Sequence, residues 1–440
     1  MYPPIKQLVA ASAIIAGAAN PTFADVFENF EFSGILETQT ALAFNGNTLQ
    51  KSDLVLTPEL SFDVGTKSRF TLIGRLRGDY RDRLEPGEPL GANRSALTDR
   101  LFLGDHVELE IREAYLDTEI GNSFLRLGKQ QIVWGQADGL KVLDILNPQS
   151  FREFVLPEFE DSRIPLWSAN AEIPIGDLTL QLVWIPDTTY DDIPEAGSAF
   201  AFTSPLVVPP NPVSVPVTFN AVDKPNDIIS DSDVGVKLSA FLGGWDLSLN
   251  YAYHYVDQPV VRRTIAGGSI AVSQTYERSH LIGGTFSNVF GAFTLRGEFG
   301  LSTNRFFRTS DPSDLDGVIQ SNDFSYVLGI DLAGFEDWFL SVQIFQSFAS
   351  NHQSGMIRGG TNTSATFLVR RDFMNEALTA EALLIQDIAG GGLLQLAIEY
   401  EWKSNIRLKA GADVFYGKED GLFGQFREND RITFGVEVSF

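Results

Sequence analysis

Arg431-Ile432-Thr433-Phe434-Gly435-Val436-Glu437-Val438-Ser439-Phe440 ends the chain. Side chains of a β-strand alternate between two faces, so this stretch places its apolar residues on one face and its polar residues on the other. The apolar face consists of Ile432, Phe434, Val436, Val438 and Phe440. The ending therefore predicts an amphipathic final strand that stops on an aromatic residue.

The start of the chain has the features of an export signal. Lys6 precedes an apolar stretch over residues 8–19, and Ala24 ends a cleavage site. The apolar stretch is too short for a bilayer-spanning helix, which needs about 20 residues. We therefore expect residues 1–24 to be a signal peptide and residues 25–440 to form the exported protein. If that protein lies in a membrane, it crosses with strands.

The composition excludes several classes of protein. The chain has no Cys, so neither disulfides nor thiolate metal sites hold it together. Its formal net charge of -24 excludes a general nucleic-acid or anionic-lipid binder, because both need clustered Lys and Arg. Its 34 Phe, 11 Tyr and 39 Gly, with a mean hydropathy of -0.02, are typical of strands that have one lipid face and one wet face.

The same alternation of apolar and polar residues recurs along the whole chain. It predicts about 18 strands, with 16 as an alternative, mostly long enough to cross a bilayer at a tilt. The strands are placed at 30–44, 53–63, 68–82, 108–119, 122–134, 166–174, 177–186, 233–242, 245–256, 274–287, 291–303, 322–332, 338–350, 363–373, 377–388, 391–402, 405–416 and 430–440. In the fourth strand, a change of face between Arg112 and Ala114 predicts a β-bulge.

The connections between these strands form two alternating classes. Short turns rich in Gly and Asn, such as Gly65-Thr66-Lys67 and Asn288-Val289, alternate with long loops, the longest at about 135–165 and 187–232. Short turns on one side and long loops on the other are typical of a transmembrane barrel. The fold class is therefore predicted to be all-β: a transmembrane antiparallel up-and-down β-barrel in the bacterial outer membrane. An even strand number places Phe440 at the periplasmic rim.

The polar faces of the strands predict an ionic lumen. The predicted pore-lining residues are Arg75, Arg77, Asp79, Arg81, Arg126, Arg296, Glu298, Glu399, Arg407, Arg431 and Glu437. Lumen charges tune what passes through a pore, and the ladder at 75–83 is the best candidate for a constriction. The alternative is that Arg and Glu pair across strands and fill the interior. Closure of the barrel is expected to bring Arg431 and Glu437 beside Glu31 and Glu37.

The segment at about 135–165 is the least barrel-like part of the chain. Residues 137–146 have apolar side chains at roughly helical spacing, and Asn147-Pro148 is a strong stop signal. An apolar helix is not stable at an exposed loop tip, so we expect a short helix or loop that folds into the lumen. The alternative is a loop that packs on its neighbours outside. The candidate residues of the segment are Trp134, Asp138, Asp144, Asn147, Pro148 and Arg152.

Two further sets of residues carry weaker signals. The loop at 187–232 is acidic at both ends and Pro-rich in its middle, and we interpret it as a mobile extracellular loop because it lacks the ligand spacing of a calcium site. Calcium binding or an apolar lid over the pore are the alternatives. His352 and Ser354 lie too close in sequence to form a nucleophile and an oriented base. We therefore expect no enzyme activity, no metal and no cofactor.

A stretch of about 25 residues indicates a family. Gly128-Lys129-Gln130, Trp134-Gly135-Gln136, Asp144, Asn147-Pro148 and Arg152 resemble a pattern in proteobacterial outer-membrane barrel proteins that are grouped as a family of unknown function. The resemblance implies a porin-like barrel, and through the family's association with envelope exporters it implies traffic in hydrophobic or lipid-like molecules. In the motif itself, a scaffold role and a ligand-contact role stay open.

The final strand also resembles the terminal strands of Gram-negative outer-membrane barrels. This resemblance implies that Phe440 is recognised by the barrel-assembly machinery. Outer-membrane lipid is the other expected partner, with an envelope export system as a third and no nucleic acid. We expect a channel or transport conduit for small or hydrophobic molecules. The alternative is a non-conducting envelope scaffold or a docking component of a lipid-export system.

Overall fold

The structure of the protein is a computed structural model that describes residues 27–45, 48–87, 93–209, 215–335 and 337–440. The predicted signal peptide, residues 1–24, lies outside the described residues. In the part that is described, no helix has both the length and the apolar character needed to cross a membrane.

Eighteen antiparallel strands form one closed barrel. In chain order they are β1 (Phe27–Ala43), β2 (Leu49–Val64), β3 (Ser68–Asp79), β4 (Val107–Ile120), β5 (Ser123–Gln130), β6 (Leu166–Ile175), β7 (Leu178–Ile185), β8 (Asp233–Leu242), β9 (Trp245–Tyr255), β10 (Arg278–Phe290), β11 (Phe293–Arg308), β12 (Val318–Phe335), β13 (Trp338–Ala349), β14 (Thr361–Phe373), β15 (Leu378–Asp387), β16 (Gly391–Lys403), β17 (Ile406–Gly417) and β18 (Arg431–Ser439). The predicted fold class and the count of 18 are confirmed.

The first and last strands close the barrel. The β1–β18 ladder runs from Ile35↔Ser439 to Ala43↔Arg431. Beyond the ladder, Phe440 and Gly34 exchange two backbone hydrogen bonds of 2.9 and 3.0 Å. The start of β1 and the end of β18 therefore lie at the rim that also carries the short turns.

The turns confirm the two-sided pattern but correct one position. The predicted turn at Asn288-Val289 is wrong, because β10 continues to Phe290 and the chain turns at Gly291-Ala292. Gly291 has φ of 66°, which glycine adopts without steric cost. Asn288 tolerates a turn without requiring one, and it stays in the ladder opposite Trp245 and Leu295.

The strands place apolar side chains outside and polar side chains inside. In β18, Phe434 is 52% exposed whereas Arg431 is buried. In β9, Leu249 is exposed whereas Asn250 is buried. An apolar outer face and a polar inner face are what a barrel in lipid needs, because each strand contacts hydrocarbon on one side only.

Two local predictions have different outcomes. The predicted bulge is confirmed, because Ile73 pairs with Glu113 and Gly74 pairs with Ile111, which leaves Arg112 as the extra residue of β4. Of the two forms predicted for residues 137–146, a short helix or a loop, the structure has the loop. Those residues form bends, and the α-helix in the described part of the segment is one turn at Phe159–Ser162.

The bends have a clear physical cause. The backbone N–H groups of Val142 and Leu143 donate to Glu298 Oε1 on β11, at 3.2 and 3.3 Å, instead of to preceding carbonyls. Gly139 also has φ of 77°, outside the right-handed helical region. A carboxylate from the barrel wall thus replaces the internal hydrogen bonds of a helix.

Candidate functional site: the barrel lumen

The inward segment, residues 131–165, leaves the wall after β5 and returns to it at β6. Asn147 joins these two points: its Oδ1 accepts from Ile132 N–H at 2.7 Å, and its Nδ2 donates to Ile164 O at 2.9 Å. The Pro148 carbonyl accepts from Ile164 N–H at 2.8 Å. Asn147-Pro148 therefore fastens the neck of the segment.

The residues just before the segment fix its exit from the wall. Gly128 has φ of 133°, and a Cβ there would lie 2.1 Å from the Ala114 carbonyl oxygen, so only glycine fits. Lys129 is almost fully buried and donates from Nζ to the Ile111 carbonyl at 2.8 Å. Gln130 donates from Nε2 to the Ser168 carbonyl at 3.3 Å. These motif residues act as scaffold.

One side of the segment packs against the wall between β6 and β10. Trp134 is 1% exposed, and its Nε1 donates to Gln181 Oε1 of β7 at 2.9 Å. It belongs to an apolar cluster that also contains Leu143, Leu146 and Leu281. Burial of these side chains removes apolar surface from water and holds the first half of the segment in place.

Polar contacts continue this attachment to β11 and β13. Glu298 accepts backbone N–H groups of the segment, including that of Gln136 at 2.8 Å. Asp138 pairs with Arg296, accepts from Gln343 Nε2 at 2.9 Å, and donates from its N–H to Gln343 Oε1 at 3.2 Å. Arg296 and Glu298 therefore bind the segment and are not free pore-lining charges.

The segment then reaches the opposite wall. Arg152 binds Asp53 of β2 at 3.0 Å and Asp79 of β3 at 2.7 Å. The next residue, Glu153, binds Lys51 of β2 at 2.5 Å and Arg431 of β18 at 2.7 Å. Strand β2 stands nine strands from β11 in the ring of eighteen. The segment is therefore attached to two opposite sides of the barrel and crosses its lumen.

Asp144 stays within the segment. It accepts from Arg163 Nε at 2.8 Å and pairs with Lys141 Nζ at 2.9 Å. Lys141 Nζ also donates to Gln149 Oε1 at 2.8 Å. These contacts join the middle of the segment to its end. In the described structure, the partners of Asp144 are thus residues of the segment itself.

The predicted constriction ladder is paired with the neighbouring strand. Arg77 binds Glu108 of β4 at 2.8 Å, and Arg75 binds Glu110. Arg81 is not on the ladder: β3 ends at Asp79, and the Arg81 N–H donates to Asp79 Oδ1 in the following bend. The alternative of charges that pair across strands therefore describes this wall.

Charges near the turn end of the lumen are more exposed. Lys409 bridges Glu37 at 2.8 Å and Glu437 at 2.7 Å, so the two carboxylates that face each other across the β1–β18 ladder share one cation. Arg407 lies between Glu399 and Glu437, at 3.6 and 3.5 Å. This is the part of the lumen where charged groups have the most freedom.

Two further charged residues of the predicted lumen, Glu31 and Arg126, form ion pairs between strands. Glu31 is not beside the last strand, because the β1–β18 ladder begins at Ile35, and Glu31 pairs with Arg69 of β3 instead. Arg126 of β5 is held by Asp117 of β4, with contacts of 2.6 and 2.8 Å. Arg69 and Arg126 therefore each pair with a carboxylate on another strand.

An aromatic cluster fills one side of the loop end. Phe154 of the inward segment packs against Phe426 with ring centroids 4.8 Å apart, and Phe200 packs against Phe426 at 5.5 Å. Phe415 and Phe423 complete the group. Because Phe200 is fully buried here, the described residues around it are not a mobile surface loop, which corrects the expectation for that part of 187–232.

A cavity of about 610 Å³ occupies the other side of the loop end. Its charged lining includes Arg94, Arg100, Arg152 and Asp192, and its apolar lining includes Phe102 and Ile193. Below it, the Arg152 contacts with β2 and β3 form the floor.

Buried carboxyl groups hold the segment to the loop after β7. Asp191 Oδ1 accepts from Gln149 N–H at 2.7 Å, and the Asp191 N–H donates to the Asp257 carbonyl at 3.2 Å. Burial, together with the nearby Asp192 charge, raises the pKa of Asp191 to about 7. Burial and Asp191 likewise raise the pKa of Asp257. Folding therefore favours the protonated form of Asp191 and of Asp257.

Several site residues were not foreseen from the sequence. Glu108 and Glu110 occupy alternate positions opposite Arg77 and Arg75, so a comparison of the polar faces of adjacent strands would have found them. Lys51 and Asp53 could have been found by the same comparison, applied to the polar face of β2 and those of its neighbours β1 and β3. Other unforeseen residues lie in irregular loops that carry no periodic signal; they are Arg94, Arg100, Glu153, Asp191 and Asp192.

Among the comparisons with known proteins, one solved structure, OccAB1, supports the fold. No curated protein matches the chain. Acinetobacter baumannii OccAB1 is similar in structure, with 9% identity, a TM-score of 0.50, and coverage of 94% of this chain and 95% of that chain. Pseudomonas aeruginosa OccK11 (OpdR) has 10% identity and a TM-score of 0.49, with coverage of 94% of this chain and 97% of that chain. A loop-deletion mutant of OmpT, an outer membrane protein of Vibrio cholerae, has 9% identity and a TM-score of 0.42, with coverage of 94% of this chain and 100% of that chain.

At these identities, likeness of structure concerns the fold alone. A family assignment comes from the sequence instead, over the stretch that includes β4 to β13 and the inward segment. Residues 91–353 match the family described as "Protein of unknown function (DUF1302)", and since they make up more than half of the chain, the protein belongs to that family.

Proposed function

We propose that the protein is a non-enzymatic channel or transport conduit of the bacterial outer membrane, with the inward segment as its constriction. One observation carries this proposal: the segment crosses a barrel that is closed without it. Each of the eighteen strands pairs with its two neighbours around the ring, and none pairs with the inward segment. Among the described residues, the isolated backbone bridges of the segment are Gln149↔Arg163 and Ser150↔Asp192, and neither involves a barrel strand.

The manner of attachment supports an obstruction that moves. A backbone ladder ties each strand to its neighbours over many residues, whereas Arg152 and Glu153 hold the segment to the wall by side chains. Movement of these side chains breaks buried ion pairs, which has an energetic cost, but it breaks no backbone ladder of the barrel. The segment can therefore shift while the barrel stays closed.

The lining supports small or hydrophobic cargo. Guanidinium groups that face the cavity are bound to carboxylates, as Arg94 is to Asp192 at 2.6 Å, so an anionic solute would have to displace a carboxylate to pair with them. Phe102, Ile193 and Pro194 add apolar surface. Most ligand pockets combine apolar lining with a few polar groups in this way.

The outer membrane and its assembly machinery belong to the same proposal. Phe440 is exposed at the turn-side rim, where its ring lies near that of Phe32 at 6.2 Å. An exposed aromatic end at the closing strand is accessible to a partner that recognises it. Lipid would contact the exposed apolar faces, such as that of β18.

The second candidate is a non-conducting envelope scaffold or a docking component of a lipid-export system. The extent of charge pairing favours it: Arg431 alone binds Glu153 and Asp413, each at 2.7 Å. A lumen that is filled by paired charges and an aromatic cluster is compatible with a role in which no solute passes through the barrel.

Conductance in planar bilayers separates the two functions. We expect small conductance steps from the full chain and larger steps when residues 137–163 are replaced by a short Gly-Ser linker. Replacement of the exposed residues 226–230 serves as the matched control and leaves the steps unchanged. Heat-modifiable electrophoretic migration checks that each variant folds. Folded protein that is silent in all three forms would establish the scaffold.

A further inference from the structure

The barrel wall is incomplete on its loop side next to β4. Strand β5 has eight residues, fewer than the nine to eleven that a tilted strand needs to cross a bilayer. The β4–β5 ladder ends at Ala114↔Lys129, although β4 continues for seven more residues to Val107. This edge of β4 therefore extends beyond its neighbour.

The wall insert, residues 93–103, fills the space that β5 leaves. It pairs with β4 at Leu101↔Leu109 and Phe102↔Glu108. On its other side, Thr98 Oγ1 donates to Asp187 after β7, and Leu97 O accepts from Trp167 Nε1 of β6 at 3.0 Å. The insert thus spans the gap between β4 and the ends of β6 and β7.

The insert has a lipid face and a lumen face. Leu97, Leu101 and Leu103 are 68%, 60% and 57% exposed, whereas Arg94 and Arg100 are buried. Leu101 lies opposite Leu109, which is exposed on the outer face of β4, as is Ile120 at the turn end.

The insert lies at the level of the outer leaflet. Leu109 and Ile120 are eleven residues apart. At about 3.3 Å per residue and a tilt of about 40°, that spacing covers about 28 Å of the bilayer normal, close to the hydrocarbon thickness. Leu101 and Leu109 therefore stand at the outer boundary of the hydrocarbon.

The cavity of about 610 Å³ lies directly behind the insert, which lines it with Asn93, Arg94, Asp99, Arg100 and Phe102. Its volume is in the range of pockets that hold drug-sized molecules. A single layer of chain therefore separates this cavity from the membrane.

We propose that the wall insert is a lateral exit through which a neutral long-chain amphiphile passes between the cavity and the outer leaflet. This inference rests on the proposed transport function and names its route and its cargo. The exit opens where the insert separates from β4 or from the end of β7.

The attachment of the insert favours separation. Two ladder pairs join it to β4, whereas eleven join β4 to β3. Its remaining ties include two single backbone hydrogen bonds of 2.8 Å, from Tyr190 N–H to Asn93 O and from Leu103 N–H to Val107 O. The others are side-chain contacts, such as Arg94 with Glu110 at 3.0 Å and Arg100 with Glu85 at 2.9 Å. Because these ion pairs face the cavity, a polar group of the cargo can take over part of their hydrogen bonding as the insert moves.

The charges of the cavity point to a neutral cargo. Arg94, Arg100 and Arg152 each contact at least one carboxylate within 3.0 Å, so a charged head group would leave one partner unbalanced. Arg100 Nε is buried and has no hydrogen-bond partner among the described residues. It becomes available to the hydroxyl of an alcohol when the insert moves, while Phe102 and Ile193 provide an apolar surface for the chain.

Cysteine pairs test the exit, since the natural chain contains no Cys. Leu101→Cys with Leu109→Cys ties the insert to β4, and cross-strand partners have Cα separations that a disulfide accommodates. Thr98→Cys with Asp187→Cys ties it to the end of β7. Ser68→Cys with Thr118→Cys is the matched control, because it ties β3 to β4 at the turn end, where the two hydroxyls are 2.8 Å apart.

The probe is a diazirine-bearing hexadecanol dissolved in phospholipid vesicles that contain the full-length protein. After irradiation, we expect labelled peptides from the cavity, around Ile193, in the reduced protein. Oxidation of at least one insert lock should lower this labelling tenfold or more, and a reductant should restore it, whereas the control pair has no effect. Cavity labelling that neither lock lowers, or labelling confined to the outer faces of the strands, overturns the lateral exit.

The failure of this inference is distinguishable from failure of the proposed function. Conductance is recorded from the same protein samples. Conductance with lock-insensitive labelling removes the lateral exit and leaves the channel. Loss of conductance in every form, including the variant without residues 137–163, removes the channel itself.

Discussion

Glu153 Oε2 lies 2.7 Å from Arg431 Nη1, which joins the middle of the inward segment to the first residue of the closing strand. The same carboxylate binds Lys51 of β2 at 2.5 Å. One acid therefore satisfies two cations on neighbouring parts of the wall, and its loss would leave both without this partner.

We predict that Glu153→Gln weakens the constriction. Breaking a buried ion pair from one side costs about 3–5 kcal/mol, because the remaining charge stays buried. We expect a lower free energy of unfolding and a single-channel conductance at least about twofold higher, since the segment loses an anchor. Glu419→Gln, which breaks an exposed pair with Arg427, is the control. Equal conductance in the two variants would show that this anchor does not hold the constriction.

We predict that Asn147→Ala opens the neck of the inward segment. The change leaves Ile132 N–H and Ile164 O without their side-chain partners, at a cost of about 1–3 kcal/mol for each buried group. Limited trypsin digestion should then cleave after Lys141, Arg152 or Arg163 at least about tenfold faster, while the barrel stays folded. Asn405→Ala removes an exposed amide contact to Ser439 and should digest like the natural chain. Unchanged protection in Asn147→Ala would argue against a neck.

We predict that Gly128→Ala prevents assembly. Its Cβ would meet the Ala114 carbonyl oxygen at 2.1 Å, and both atoms belong to paired strands that cannot separate locally. Electrophoretic mobility of unheated samples should show little or no folded barrel. Gly78→Ala in β3, where the nearest atom would lie 3.9 Å away, should fold normally. Normal assembly of Gly128→Ala would mean that the backbone of β5 accommodates a side chain.

We predict that the protein becomes less stable as pH rises from about 4 to 7. The pKa of Asp191 is raised from 3.8 to about 7 by burial, so in that window the folded state keeps a proton that the unfolded chain releases. Its contribution is fully present below pH 4 and is lost as pH rises through 7, at about 1.4 kcal/mol for each unit of pKa difference.

Thermal unfolding in detergent micelles at several pH values measures this dependence. Asp191→Asn should reduce this dependence, because the amide does not titrate, whereas Asp257, whose pKa is also raised by burial, still does. Asp223→Asn changes an exposed acid of the same loop and should leave it intact. Identical pH profiles for Asp191→Asn and the natural chain would place the titration elsewhere.

The barrel itself was predictable because its information is local. Lipid on one face and water on the other require alternation, and each strand shows this in its own residues, as β18 does from Arg431 to Phe440. The bulge at Arg112 was visible for the same reason. The turn after β10 was misplaced because Asn288 permits a turn, whereas Gly291, with its positive φ, makes one.

The lumen was less predictable because its contacts are long-range. The spacing of apolar residues at 137–146 indicated a helix, but Glu298, about 155 residues away, takes the N–H groups that a helix would use. Arg152 was identified as part of the segment, yet its partners Asp53 and Asp79 lie on strands 99 and 73 residues earlier. Periodicity within one element contains no information about such partners.

The position of Arg431 has a consequence for the order of biogenesis. The chain reaches this residue only in its last ten positions, and until then Glu153 and Asp413 lack their common partner. Zipping of β18 onto β1 therefore seals the wall and completes this group of buried charges in one step. A nascent barrel without this strand has an open sheet edge, an Asp413 without its cation and a Glu153 that keeps Lys51 but lacks Arg431, so closure of the wall and settlement of the lumen charges are coupled.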